Sequence, residues 1–294
     1  MDELEATPKP ISMRLGDLLA AWEYDSQAAH DAYTTGRPRG PVTALPRLDN
    51  ELGGFLSPAL HVLHGKPGSG KTALALQIAG TCGCPAVYVT CEMSPLELLR
   101  RITARVTGTF LGRFKSGELT PAASLELARR AIAATPDLWI LDATACYPFP
   151  ADIRETARLV CGDGRHVLVV VDSVHSWAQG ADTGGATEYE SLNSHLLALN
   201  SMALALNAPV LAVAERNRAS MNKGDMHAGA GTRKLEYGAD TVLDMQRDED
   251  TPDTNGAVRV TLKLPKNRNN HAGGQVRLLF HGAMQRFDED WNPD

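Results

Sequence analysis

The residues Gly65-Lys66-Pro67-Gly68-Ser69-Gly70-Lys71-Thr72 fit the phosphate-loop spacing G-x-x-x-x-G-K-[ST]. The chemistry this spacing serves is polyphosphate binding. Backbone N–H groups must turn inward around the anion while a helix starts directly behind it, and glycines permit that turn. Lys71 then places its ammonium on the β- and γ-phosphates of a nucleotide such as ATP, and Thr72 gives its hydroxyl to Mg²⁺. A second group follows from strand ends. The apolar run His166 to Val171 stops at Asp172, and open α/β sheets put ligands at the C-terminal ends of their strands. Asp172 is therefore the expected partner of Mg²⁺ through its water shell, with capping of the next turn as the alternative.

These side chains need a strand and a helix to hold them, and both are legible. Ala59 to Leu63 reads as a short buried strand before the loop, and Ala73 to Ala79 as a helix stopped by Gly80. Further strands are expected at Ala86–Thr90, which ends in Cys91-Glu92-Met93-Ser94, at Leu138–Leu141, at His166–Val171 and at Pro209–Ala214, which runs into Glu215-Arg216-Asn217-Arg218. Between them lie helices. Ser94-Pro95-Leu96-Glu97 carries an N-cap serine, a first-turn proline and a glutamate for a capping box, with Arg100, Arg101 and Arg105 expected on a solvated face. Thr120-Pro121 opens another helix, Ile153 to Val160 forms a third, and Leu192 to Leu206 a long fourth. Trp177 to Thr187 is glycine-rich and expected to be mobile, and the loop from Gly224 to Lys234 is too long for a simple connection. The C-terminal part reads as strands: Thr241–Met245, Val258–Leu264 and a hairpin over 275–287. The fold class is thus α/β, a doubly wound, mostly parallel sheet with C-terminal antiparallel strands.

In the 294-residue chain, 43% of residues are hydrophobic and 22% charged, ordinary for a globular protein. A formal charge of −6 excludes a surface-wide basic footprint, so contact with nucleic acid is expected only locally, in loops that line a channel. Cys82, Cys84, Cys91, Cys146 and Cys161 form no C-x-x-C pair and no histidine-flanked metal spacing, and they read as buried reduced thiols. No secretory leader and no apolar run of membrane-spanning length stands in the sequence, which points to a soluble cytoplasmic protein. The expected organisation is a disordered tail over 1–11, an amphipathic helix and linker over 12–40 carrying Leu15, Leu18, Leu19, Trp22 and Tyr33 at helical spacing, the α/β domain over 41–287 and an acidic tail over 288–294.

From about Gly40 to Phe287 the chain resembles the motor domain of DnaB-type hexameric replicative helicases, within the group of RecA-like ATPases. The resemblance rests on Gly65-Lys66-Pro67, Cys91-Glu92-Met93-Ser94, Val170-Val171-Asp172, Asn217-Arg218, Gly238-Ala239-Asp240 and Lys266-Asn267-Arg268-Asn269. It implies an ATP-driven ring with Mg²⁺ and nucleotide at each subunit interface, moving on single-stranded DNA, with a primase or loader as possible partner. Glu92 is then the general base, and Lys266 and Arg268 are the pair a neighbouring subunit inserts against the γ-phosphate. Thr232, Arg233 and Lys234 are the expected DNA contacts in the channel. Glu215 departs from the glutamine usual in this family, where the amide reports the γ-phosphate state; a carboxylate cannot donate to phosphate unless protonated. The helical amino-terminal domain of full-length relatives is not seen, which fits a single-domain phage or plasmid form. A RecA- or KaiC-like ATPase serving as recombination mediator or regulatory scaffold stays open beside the motor, as does a nucleotide-binding module without turnover.

Overall fold

A computed structural model describes residues 12–135, 137–162, 166–180, 188–215, 238–252 and 256–291. The chain divides into two units, one ending at Arg39 and the other beginning at Gly40. In the first, a 3-10 turn over Leu15–Leu18 leads into α1 (Leu19–Thr35), which Gly36 ends in the left-handed conformation. The helix expected from Ser12 therefore starts later. The Asp17 carboxylate accepts from Arg14 N–H at 3.0 Å and tightens the entry into a 3-10 turn. No residue of α1 is buried.

In the second unit one sheet carries β1 (Leu60–Gly65), β2 (Ala86–Thr90), β3 (Leu138–Asp142), β4 (Leu168–Asp172), β5 (Val210–Glu215), β6 (Thr241–Pro252), β7 (Val258–Asn267), β8 (Gln275–His281) and β9 (Arg286–Glu289). Their spatial order is β3-β2-β4-β5-β1-β6-β7-β8-β9. Pairs from β3 across to β6 are parallel, and β6 to β9 pair antiparallel. The doubly wound sheet with an antiparallel extension is as the sequence predicts.

Both faces of β1, β2, β4 and β5 are covered, which is why they read as unbroken apolar runs, while β3 at the sheet's edge stays partly exposed. Leu63, Tyr88, Val170 and Leu211 face one core with α3 (Lys71–Thr81), α4 (Pro95–Thr107) and Ala131 of α6 (Pro121–Ala134). Their neighbours Val62, Val87, Val169 and Val210 face the other, with α7 (Pro150–Cys161), α8 (Val174–Gly180) and α9 (Glu188–Leu206). Two short helices, α2 (Pro46–Glu51) and α5 (Leu111–Ser116), depart from the periodicity reading, because neither spans two turns.

Five expectations are corrected. Gly80 does not stop α3, which runs on to Thr81; the missing side chain makes room for Arg105, whose Nη2 would lie 2.9 Å from a Cβ there. Arg105 is thus half-buried, its guanidinium disfavoured by that burial, and it is not on a solvated face. Trp177 lies in α8 at 1% exposure, donating Nε1–H to the Pro148 carbonyl at 2.9 Å, although residues 181–187 of the glycine-rich stretch lie outside the described residues. Asp288 to Asp290, expected in an acidic tail, close the sheet: β9 reaches Glu289, and buried Asp290 pairs with Arg259 Nε at 3.3 Å. Among the cysteines, Cys82 and Cys91 are buried but Cys146 is exposed.

The sheet's last strand is tied to the helix behind the phosphate loop by one side chain. Gln77 Nε2 donates to the Phe287 carbonyl and Gln77 Oε1 accepts the Phe287 N–H, both at 2.8 Å and buried. Phe287 itself stacks on Phe280 with ring centroids 4.4 Å apart. Gln77→Met keeps the volume but strands two buried backbone groups, so a loss of about 2–4 kcal/mol in denaturant unfolding is expected. A loss below ~0.5 kcal/mol would show that β9 docks without this pair.

Candidate functional site

Between Gly65 at the end of β1 and Lys71 at the start of α3, the chain turns through Gly68 (φ 76) and Gly70 (φ 102). Both are left-handed, where side chains are strained. Space forbids a side chain as well: a Cβ on Gly70 would approach Phe287 Cζ to 2.9 Å, and one on Gly65 would approach the Met245 carbonyl oxygen to 2.7 Å. Lys71 folds back over the loop, donating from Nζ to the Gly65 carbonyl at 3.0 Å and the Lys66 carbonyl at 3.1 Å. Burial lowers its pKa, while the charges of Glu215, Asp172 and Glu92 oppose that shift.

The strand ends bring the acidic groups to the same place. β2 pairs with β4, and β4 with β5, so that Glu92, Asp172 and Glu215 share one sheet edge with the loop, and all three line a cavity of about 310 Å³ above Lys71 and Thr72. Asp172 is 5% exposed; burial pushes its carboxyl pKa up, against hydrogen bonds from Tyr88 and Thr72. The Tyr88 hydroxyl donates to Asp172 Oδ2 at 2.6 Å. Glu92 stands on the loop after β2 and accepts on Oε1 from Ser173 Oγ at 2.5 Å and Ser176 Oγ at 2.6 Å. Beside it, burial and the two nearby carboxylates push the Cys91 thiol up to about 12. Glu215 lies in register with Gly65, and its N–H donates to His175 Nδ1 at 3.2 Å, so that ring nitrogen carries no proton. Arg101 also lines the cavity, donating from Nη1 to Gln285 Oε1, and so leaves the solvated face expected for it.

A magnesium-bound polyphosphate fits these residues. The loop offers left-handed glycines and an ammonium that here caps only carbonyls, and Thr72 and Asp172 line the same cavity above it. Among the described residues no group of three or more His, Cys, Asp or Glu forms a metal cage. A Mg²⁺ ion would therefore take most of its oxygens from phosphate and water, as that ion prefers.

Lys266 and Arg268 are elsewhere. Lys266 pairs with Val242 and Asn267 with Thr241, which places them at the start of β6, the sheet edge opposite the phosphate loop. Measured along the strands from Gly65, Lys266 lies about 10 Å and Arg268, beside Asp240, about 17 Å toward that opposite edge. Arg268 is held there by Asp240: its N–H donates to the Asp240 carbonyl at 3.0 Å and its Nη1 to Oδ1 at 2.8 Å. Thr232, Arg233 and Lys234 lie outside the described residues, as do Arg216, Asn217 and Arg218. Tyr88, Ser173, His175 and Ser176 were missed from sequence. The one available signal was a serine directly after the strand-end aspartate and another one turn later.

Residues 40–289 match the family model described as DnaB-like helicase C terminal domain. The replicative DNA helicase DnaB of Treponema pallidum (strain Nichols) is 29% identical over 258 residues, which cover 84% of this chain and 56% of that protein. The chain thus spans little more than half the length of that curated relative. Among solved structures, the ATPase domain of G40P superposes with a TM-score of 0.77 at 18% identity, covering 95% of this chain and 99% of that one. A DnaB-like replicative helicase, solved with its interactions with primase, superposes at 0.74 and 19% identity, covering 94% and 67%. These likenesses show the RecA-like fold of the phosphate-loop ATPases. With the family match running from the first residue of the second unit to the end of β9, this chain belongs to the family of DnaB-like helicase C-terminal domains.

Proposed function

We propose that the chain is the motor of a ring-shaped, ATP-dependent helicase that moves on single-stranded DNA in replication. The observation that carries this reading is the split site: the phosphate loop, Glu92 and Asp172 stand at one edge of the sheet, and Lys266 and Arg268 at the other. A single subunit cannot bring the two together. A head-to-tail contact can, and repeated around an axis it closes a ring with nucleotide between subunits. Such a ring is proposed to be hexameric, as in the family.

In this reading the loop N–H groups and Lys71 bind and orient the phosphates, with Lys71 leaving the Gly65 and Lys66 carbonyls as it does so. Thr72, and Asp172 through the ion's water shell, would hold Mg²⁺, which would supply positive charge against the charge developing on the phosphate oxygens. Glu92 accepts a proton from the attacking water as its oxygen bonds to the γ-phosphorus and the bond to the β–γ bridging oxygen breaks, giving ADP and phosphate. Lys266 and Arg268 of the next subunit offset the charge on the γ-phosphoryl oxygens. Glu215, in register with the loop, senses the phosphate by charge repulsion and not by donating a hydrogen bond. Thr232, Arg233 and Lys234 grip the DNA backbone in the channel.

The unburied face of α1 is what a neighbouring subunit would cover, and primase or a loader is a candidate partner by likeness to the DnaB-like helicase solved with primase interactions. Among the described residues no helix is long and apolar enough to cross a membrane, and a cytoplasmic site is proposed. The family match over residues 40–289 favours the motor over a RecA- or KaiC-like mediator or scaffold. The test is ATP turnover with and without single-stranded DNA, with assembly followed by mass photometry in the same buffer. Stimulation of at least about ten-fold in a closed ring is expected. Turnover indifferent to DNA, or an open filament, would favour the mediator reading.

A further inference from the structure

The catalytic carboxylate is set on a loop, and its aim needs an explanation the loop does not supply. The loop's backbone is fixed: Cys91 N–H donates to the Asp172 carbonyl at 2.8 Å, and the Thr90 hydroxyl donates to the Met93 carbonyl at 2.6 Å. The Glu92 side chain is exposed, and a flexible, exposed glutamate samples several rotamers unless something holds its head. Two hydroxyls from another part of the chain do so. Ser173 Oγ and Ser176 Oγ both reach Glu92 Oε1, at 2.5 Å and 2.6 Å.

We propose that Ser173 and Ser176 are positioning residues for ATP hydrolysis, a hydroxyl pair that fixes the Glu92 carboxylate so that Oε2 meets the attacking water. The inference rests on the reading of Glu92 as the general base.

The direction of the hydroxyl protons follows from the surrounding donors. Ser176 N–H donates to Ser173 Oγ at 3.3 Å, which occupies a lone pair of that oxygen and leaves its proton for the carboxylate. Ionised Glu92 can only accept, so Ser176 Oγ must also be the donor. Both bonds converge on Oε1 and use it up, while Oε2 accepts from neither serine. Charge-assisted bonds of this kind are the strong ones among side chains, and two on one oxygen fix the plane of the carboxylate.

The pair is itself rigidly held. Ser173 is 2% exposed and follows Asp172 directly, so it is carried by the same strand end as the metal-side carboxylate. Ser176 lies in the first turn of α8, which Trp177 anchors in the core and which His175 ties to the end of β5 through Glu215 N–H. The distance between base and metal-side carboxylate is thereby set by covalent neighbours and one helical turn. Proton abstraction is sensitive to this: misplacement of a reacting group by about 1 Å can cost a hundred-fold in rate.

The experiment uses the full-length protein with single-stranded DNA present and compares Ser173→Ala, Ser176→Ala, the double variant, Ser176→Thr and Glu92→Gln. Affinity for a fluorescent ATP analogue and single-turnover hydrolysis at saturating ATP are read separately. Each alanine variant is expected to lose about five- to ten-fold in single-turnover rate, and the pair about thirty- to a hundred-fold, with affinity within about two-fold. Ser176→Thr, which keeps a hydroxyl, is expected to retain most of the rate. In a Glu92→Gln background the two alanines are expected to cause no further loss, which a merely structural role would not produce.

A double variant that hydrolyses as fast as the parent, while Glu92→Gln alone is inactive, would overturn the positioning role and leave the base reading standing. A faster double variant would overturn it too, showing that the serines restrain Glu92. If Glu92→Gln keeps full turnover, the base reading falls first, and the serine pair has nothing to position.

Discussion

Glu92→Gln is expected to lower ATP turnover by about 10²- to 10⁴-fold while leaving nucleotide affinity within about two-fold. The substitution isolates one property. Glutamine has the shape of glutamate, and its carbonyl oxygen can still accept from Ser173 and Ser176, so the hydrogen bonds that now end on Oε1 survive. What it lacks is the ability to take a proton. The phosphate loop, Lys71 and the Thr72–Asp172 pair are untouched, so binding is retained and the loss falls on the chemical step. Binding by a fluorescent analogue with turnover by phosphate release separates the two quantities. A variant with turnover within about three-fold of the parent would remove Glu92 as base and turn attention to other carboxylates at this edge.

The second large effect is a rescue. Arg268→Ala and Lys71→Ala assemblies are each expected to lose about 10³-fold or more in DNA-stimulated turnover, since one would lack the proposed finger and the other the loop lysine. Mixed in equal amounts, about one quarter of interfaces pair an intact cleft with an intact finger if subunits mix at random, and activity should return accordingly. The sheet geometry is the reason to expect it: Arg268 lies beside the start of β6 and the phosphate loop at the end of β1, at opposite ends of the strands within one chain. The Asp240 contact does not prevent it. Arg268 is 59% exposed, and exposed ion pairs contribute at most about 1 kcal/mol, little beside a charge presented to a triphosphate. No recovery at any ratio, in assemblies shown to contain both subunits, would sink the shared-site reading.

The sequence by itself determined the phosphate loop, the order of strands and helices, and the carboxylates at strand ends. These follow from short-range rules: a turn that only glycine makes, apolar runs buried on two faces, and helix starts written in adjacent residues. Ser94 and Thr120 accept from Glu97 N–H and Ala123 N–H as their caps predict. Family motifs then pointed to Lys266 and Arg268, though not to where they stand.

Only the tertiary structure decided what depends on register between distant segments. Glu92 and Ser176 meet across 84 positions, and Gln77 holds Phe287 across 210. No periodicity encodes such pairs, because which strands become neighbours is settled by burial of whole faces and not by local preference. The same reason explains the errors. Arg101 and Arg105 look like a solvated stripe on an isolated helix, yet α4 packs beside α3, turning one toward the cavity and the other into the gap left by Gly80. The acidic end of the chain looks frayed until β8 gives it a partner. Local chemistry therefore named the candidate groups, while long-range packing gathered Lys71, Thr72, Glu92, Asp172 and Glu215 around one cavity and placed Lys266 and Arg268 at the far edge of the sheet.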